Sequence, residues 1–210
     1  MSEPTQQHSR FEMIATVLMA VATIATAWCA YQSTVWSGVQ EFALHDAETM
    51  NRQVGTLRTL ALQRSMVDLG LYQSFLNARF DNKETLAQFY RDRFPPRFKV
   101  PFEKWYAQDP FNNPNAPSHP FVMKEYVVPE NVEADSLHTK AMENLATAQD
   151  SNAHSEHYIL LTVIFASVLF FGGITSNIQD LRTKKFLVVV SMILLAASCI
   201  WMLTFPMMLR

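Results

Sequence analysis

Three apolar blocks dominate the pattern of the chain. Met13 to Tyr31, Tyr158 to Ser176 and Phe186 to Leu209 each run without a single Asp, Glu, Lys, Arg or His. A helix rises about 1.5 Å per residue, so each block can cross a hydrocarbon core of roughly 30 Å. Lipid offers no partner to a free backbone amide, and the alternation of a barrel strand is missing, so the blocks predict three transmembrane helices. A cleavable leader is the competing reading of the first block, with Arg10 as its basic start and Ala25-Thr26-Ala27 as its small-residue site. The apolar run continues through Trp28, Cys29 and Ala30 to full spanning length, which favours a retained helix.

Between the first two blocks the pattern changes to that of packed helices in water. From Gln32 to about Arg79 there is no proline, and Ala43, Ala47, Met50, Val54, Leu57 and Ala61 recur at a 3-4 spacing. Ala134, Leu137, Ala141, Leu145 and Ala148 repeat that spacing between Glu130 and His157. The expected fold class is therefore all-α: three spans, the first two extended outward as an antiparallel hairpin. The outgoing limb would be about 70 Å long and the returning limb about 42 Å, so the longer one must overshoot, bend or break. Gly55 and Gly70 are the candidate break points, with Gly70 preferred because the spacing weakens there.

The segment Phe80 to Pro129 predicts a compact, turn-rich tip. Eight of the ten prolines lie between Pro95 and Pro129, and proline forbids long helices and central strands. Short helices are expected at Lys83 to Arg93 and Phe98 to Ala107, with many aromatics to supply a small core. The organisation read from the chain is a tail at 1–12, spans at 13–31, 158–176 and 186–209, an outer helical domain at 32–157 with its tip at about 80–129, and an inner link at 177–185.

Charge orients this layout. The link carries Arg182, Lys184 and Lys185 against Asp180, which the positive-inside rule places in the cytoplasm. The N-terminal tail is then cytoplasmic, and the large domain and Arg210 are outside. Trp28, Tyr31, Trp36, Tyr158 and Trp201 fall at the outer ends of the spans, where half-wet rings are favoured. The outer segment holds 12 Lys/Arg against 16 Asp/Glu, which argues against nucleic acid as a partner. The two cysteines, Cys29 and Cys199, both lie in spans, so no disulfide framework or cysteine metal site is expected outside the membrane.

Three stretches together resemble a known group. They are Ala27-Trp28-Cys29-Ala30-Tyr31-Gln32 leading to Trp36-Ser37-Gly38; Phe89-Tyr90-Arg91 through Asp109-Pro110-Phe111-Asn112-Asn113-Pro114-Asn115-Ala116-Pro117 to Pro120-Phe121; and Tyr158 to Gly173. The chain resembles a group of uncharacterised bacterial three-span inner-membrane proteins with a periplasmic helical domain. The resemblance implies an inner-membrane location and a periplasmic domain, and it implies no activity or site.

Candidate chemistry is sparse. His154, Glu156 and His157 cluster just above the second span, and the two histidines, at i and i+3, can share a helix face suited to a metal, but a third ligand is hard to place, and a polar interfacial collar explains them as well. In the tip, Arg93, Arg97 and Lys99 interleave with aromatics such as Trp105, Phe111 and Phe121. Cation and ring together can hold an anionic headgroup or a cell-wall fragment, and the same mixture also describes a solvated face over an aromatic core. The loop Asn112 to Pro120, which includes Asn113, reads either as a stiff docking loop or as a packed connector. Small residues on the first span, and Gly172 with Ser176 on the second, permit close helix approach within one chain or between copies. Walker, dinucleotide, Gly-x-Ser-x-Gly and His-Glu-x-x-His patterns are missing, and the spans carry no ionisable residue of the kind that marks ion paths.

The functional expectation is a non-catalytic interaction protein with no cofactor or metal, surrounded by membrane lipid and bound to a protein partner or to further copies of itself. The alternative is a periplasmic binding or sensing module for a lipid, cell-wall or small anionic ligand. A transporter ranks third, for want of charged or broken spans.

Overall fold

The computed structural model describes residues 3–175 and 177–209, with side chains from residue 11 onward. Every regular element among them is helical. Helix α1 covers Glu3–Phe80, α2 Glu84–Asp92, α3 Pro96–Tyr106, α4 Pro129–Thr175 and α5 Leu181–Met202, with a 3-10 turn at Pro120–Val122. Three of them, α1, α4 and α5, are long and apolar enough to cross a membrane, which marks the chain as a membrane protein.

Two compact units divide the chain. The first comprises Met1–His45 and Asn144–Arg210. Its core is Cys29, Tyr158, Leu161 and Phe165, with a second cluster of Ala15, Leu18 and Val188. Gly172 lies against α1: a Cβ there would stand 2.7 Å from Met19 Cγ, so the Met19 side chain packs onto the glycine more closely than a larger residue would allow. The Ser176 half of the predicted small-residue pair falls outside the described residues. The Ser155 hydroxyl bonds Ser33 and Ser37 at 3.0 and 2.9 Å, which fixes the register of α1 against α4.

Helix α5 departs from the apolar block at both ends. It starts at Leu181, five residues before Phe186, because the Asp180 carboxylate caps it, accepting from Thr183 N at 2.8 Å and Thr183 Oγ1 at 2.6 Å. Lys184 therefore sits on the helix, is 1% exposed and donates to Glu12 at 2.7 Å. The helix ends at Met202 rather than Leu209. Pro206 cannot continue it, and a fixed tail follows. Gln32 Nε2 donates to Met208 O at 3.0 Å and Gln32 Oε1 accepts from Met208 N at 3.1 Å, while Trp36 and Tyr158 both donate to the Pro206 carbonyl.

The second unit is Asp46–Glu143. In it α1 buries Ala47, Val54 and Ala61, and α4 buries Ala134 and Ala141, small side chains suited to a close helix pair. Ion pairs Arg58–Asp135 and Arg64–Glu130 join the two. The helix does not break at Gly70; it runs unbroken to Phe80. The reason lies in the turns around that glycine. Asp68, Tyr72, Phe75 and Ala78 are all buried, and the lost burial would exceed the roughly 1 kcal/mol that glycine costs a helix.

Candidate functional site

An aromatic cluster organises the second unit beyond the α1–α4 contacts. Tyr72 and Phe75 of α1 meet Phe94, Phe98, Phe102 and Trp105 from the α2–α3 segment. Most pairs are edge-to-face with centroids 4.7–6.2 Å apart, such as Phe75–Phe102 at 4.9 Å and Phe94–Phe102 at 4.7 Å, the geometry favoured by ring quadrupoles. Pro95 and Pro96 start α3, where missing amide protons cost nothing. That turns Phe98, Phe102 and Trp105 onto α1.

Against this cluster, the sequence-selected residues separate. Arg97 is drawn inward: Nε and Nη2 bond the two Asp68 oxygens at 3.0 and 2.9 Å, and Asp68 is fully buried. Tyr126 also donates to Asp68, at 3.1 Å. Burial, with the Asp68 charge beside it, holds the Tyr126 hydroxyl above its ordinary pKa. Trp105 is buried and donates to Pro117 O at 2.7 Å, which fastens the proline-rich loop to α3. Phe121 is stacked on Phe98 at 4.9 Å. Asn113 is a turn residue, donating to Gln108 O and accepting from Asn115 N. Arg93 lies over the Phe89 ring at 3.5 Å, and Lys99 is half-buried near Glu103. Phe111 opens onto a cleft, described below.

Two ion pairs tie the cluster's polar edge. Arg91 Nε bonds Glu103 at 2.8 Å, and its guanidinium sits 4.7 Å from the Tyr106 ring. That hydrogen bond holds the Glu103 carboxyl below the usual range. Lys104 bonds Glu125 at 2.6 Å and lowers it likewise.

Two surfaces stand out among the described residues of this unit. The first is a band on α1. Leu62, Met66 and Leu69, at i, i+4 and i+7, share one side, and Leu60 and Val67, at i and i+7, flank the other. Leu62 and Met66 are 58% and 59% exposed. The second is the cleft where α1 and α3 end and α2 begins.

In the first unit, His154 and His157 do not converge. His154 packs on Trp36 at 4.6 Å, His157 stacks on Phe205 at 4.8 Å, and Glu156 accepts from Asn152 at 2.8 Å. Among the described residues no group of three metal-capable side chains forms. Cys29 and Cys199 are free thiols that pack in one cluster, with Cys29 Sγ 3.7 Å from Met202 Sδ.

No protein-family model, curated protein or solved structure matches this chain. The functional reading therefore rests on geometry.

Sequence reasoning passed over Phe80, Asn82 and Asp109, which shape the cleft, and Gln32, which clasps the tail. A signal did exist for Asn82: Asp81-Asn82 follows the last periodic residue of α1, where left-handed caps occur. Nothing in the chain announced the Gln32 clasp.

Proposed function

We propose that this chain is a non-catalytic, membrane-anchored interaction protein, a scaffold or accessory subunit of a bacterial envelope complex. The observation that carries the reading is the α1 band. Arg52, Arg58, Arg64 and Asp68 punctuate this stretch, so it does not lie in hydrocarbon. Yet Leu62, Met66 and Leu69 form an exposed apolar strip along one side of the helix, and Leu60 and Val67 are exposed on the other. A water-facing helix ordinarily carries polar residues there. An exposed apolar strip of this kind marks a protein–protein contact.

The layout proposed around it is an inner-membrane protein with a cytoplasmic N-terminus and a periplasmic helical hairpin bearing a proline- and aromatic-rich tip. Arg182, Lys184 and Lys185 support that orientation through the positive-inside rule. Arg58–Asp135 and Arg64–Glu130, whose partners run in opposite sequence order, support the hairpin. The partner is an envelope protein or further copies of this chain.

A photo-reactive residue introduced at Leu62 or Met66 in living cells should form a discrete protein adduct, and one at buried Ala61 should not. Equal labelling at all three positions, or none, would contradict the assignment of the band. Leu62→Glu with Met66→Glu should remove the adduct formed from Leu69 while leaving helical content unchanged by circular dichroism.

A further inference from the structure

A cleft of about 450 Å3 opens among Phe80, Asn82, Tyr106, Asp109, Phe111 and Asn112, within the size range of small-molecule sites. Its apolar part is two rings set edge-to-face at 5.9 Å, Phe80 and Phe111, which are 71% and 39% exposed. Its polar part is the amides of Asn82 and Asn112 and the carboxylate of Asp109, which already accepts from Asn112 Nδ2 at 3.1 Å.

The backbone adds a second, independent observation. Asn82 at φ 57° and Asp109 at φ 51° are the positive-φ non-glycine residues of the described chain, and both border this cleft. Asn82 ends α1 in a paired cap, with Lys83 N bonding Ala78 O at 2.9 Å and Asn82 N bonding Arg79 O at 3.2 Å. Glycine is the residue such positions favour. The chain instead keeps an amide and a carboxylate, side chains that tolerate the left-handed region, and so places two polar groups at the border of the cleft.

Charge then selects the ligand class. Arg79, the cation of the cleft, is paired with Glu84, so a phosphate or carboxylate would meet Asp109 uncompensated. A purely apolar ligand would desolvate the Asn82 amide and the Asp109–Asn112 pair without offering either a hydrogen bond. A molecule with an apolar C–H face and a polar hydroxyl edge satisfies both halves. We propose that this cleft binds a neutral saccharide, its ring C–H groups against Phe80 and Phe111 and its hydroxyls paired with Asn82, Asp109 and Asn112. The site goes beyond the interaction reading and uses none of the residues of the α1 band.

The test uses the full chain in lipid nanodiscs, so that no glycosidic detergent competes. Saturation-transfer NMR with maltose, cellobiose and N,N′-diacetylchitobiose reports a free saccharide, and co-sedimentation with insoluble chitin reports a polymeric one. Saturation of ring C–H protons, or sedimentation, should occur with at least one probe and fall at least 10-fold in Phe80→Ala, an exposed position where the fold should survive. Asn82→Gly keeps the backbone conformation while deleting the amide, and should reduce the signal several-fold without lowering the melting temperature. Failure of every probe in both arms would overturn the proposal, as would a signal that both variants leave unchanged.

Discussion

Asp68 is the residue on which most of the second unit's polar structure converges. Its carboxylate accepts two bonds from Arg97 and one from Tyr126, and none of it is exposed. Removing one member of a buried pair strands the other charge. Asp68→Ala should therefore destabilise the unit by about 3 kcal/mol, read as a fall in its denaturation midpoint in nanodiscs; a change within about 0.5 kcal/mol would contradict the role. Glu103 and Glu125 predict the acid response. Arg91 and Lys104 hold their folded pKa values below the ordinary ones, so the unfolded chain binds more protons in acid and stability rises with pH there. The contribution is present above the ordinary glutamate value, about 4.3, and is lost as pH falls through the folded values. Both carboxylates are partly exposed, so water screens the effect to a small one. Glu103→Gln should flatten the acid limb of a melting-temperature profile, and an unchanged limb would argue against the pair. Residue chemistry was the least legible level in the sequence. Trp105 and Phe121 read either as a ligand surface or as part of an aromatic core, and they complete a core; Arg97 read as a surface cation, yet it answers a buried carboxylate 29 positions away. Local sequence carries no mark of such long-range partners.

At the scale of elements, α1 decides the architecture. Its 3-4 spacing was legible through Ala61, and the weaker register near Gly70 suggested a break that does not occur. Tertiary burial of Tyr72 and Phe75 overrides the local glycine penalty, and that burial depends on packing against α3, a contact that no local pattern reveals. Since no atom lies within 4 Å of a Cβ built at Gly70, Gly70→Ala should stabilise the chain by about 0.5–1 kcal/mol. Gly172→Ala should do the reverse, because its Cβ would collide with Met19. Equal shifts in melting temperature for the two variants would show that the helix packing near Gly172 is looser than described. The start and end of α5 were illegible for a related reason. An apolar run reports which residues tolerate lipid, whereas the helix boundaries come from the Asp180 cap and from Pro206.

For the whole molecule, composition carried the most information. Three charge-free blocks sufficed to foresee the three apolar helices, because hydrocarbon leaves the backbone so few options. Function was far less legible, since an interaction surface is defined by what remains exposed after folding. Leu62 and Met66 look like ordinary core positions until the helix's buried face is known. The central claim is that this surface, outside the hydrocarbon, is covered by protein in the cell envelope. Native mass spectrometry of the chain extracted gently from its own membranes, at natural expression, tests that claim most directly. A complex that contains this chain with a second protein, or in a fixed number of copies, and that dissociates in the Leu62→Glu, Met66→Glu variant, is the predicted result. A bare single chain under every gentle extraction, or a complex indifferent to those substitutions, would contradict it.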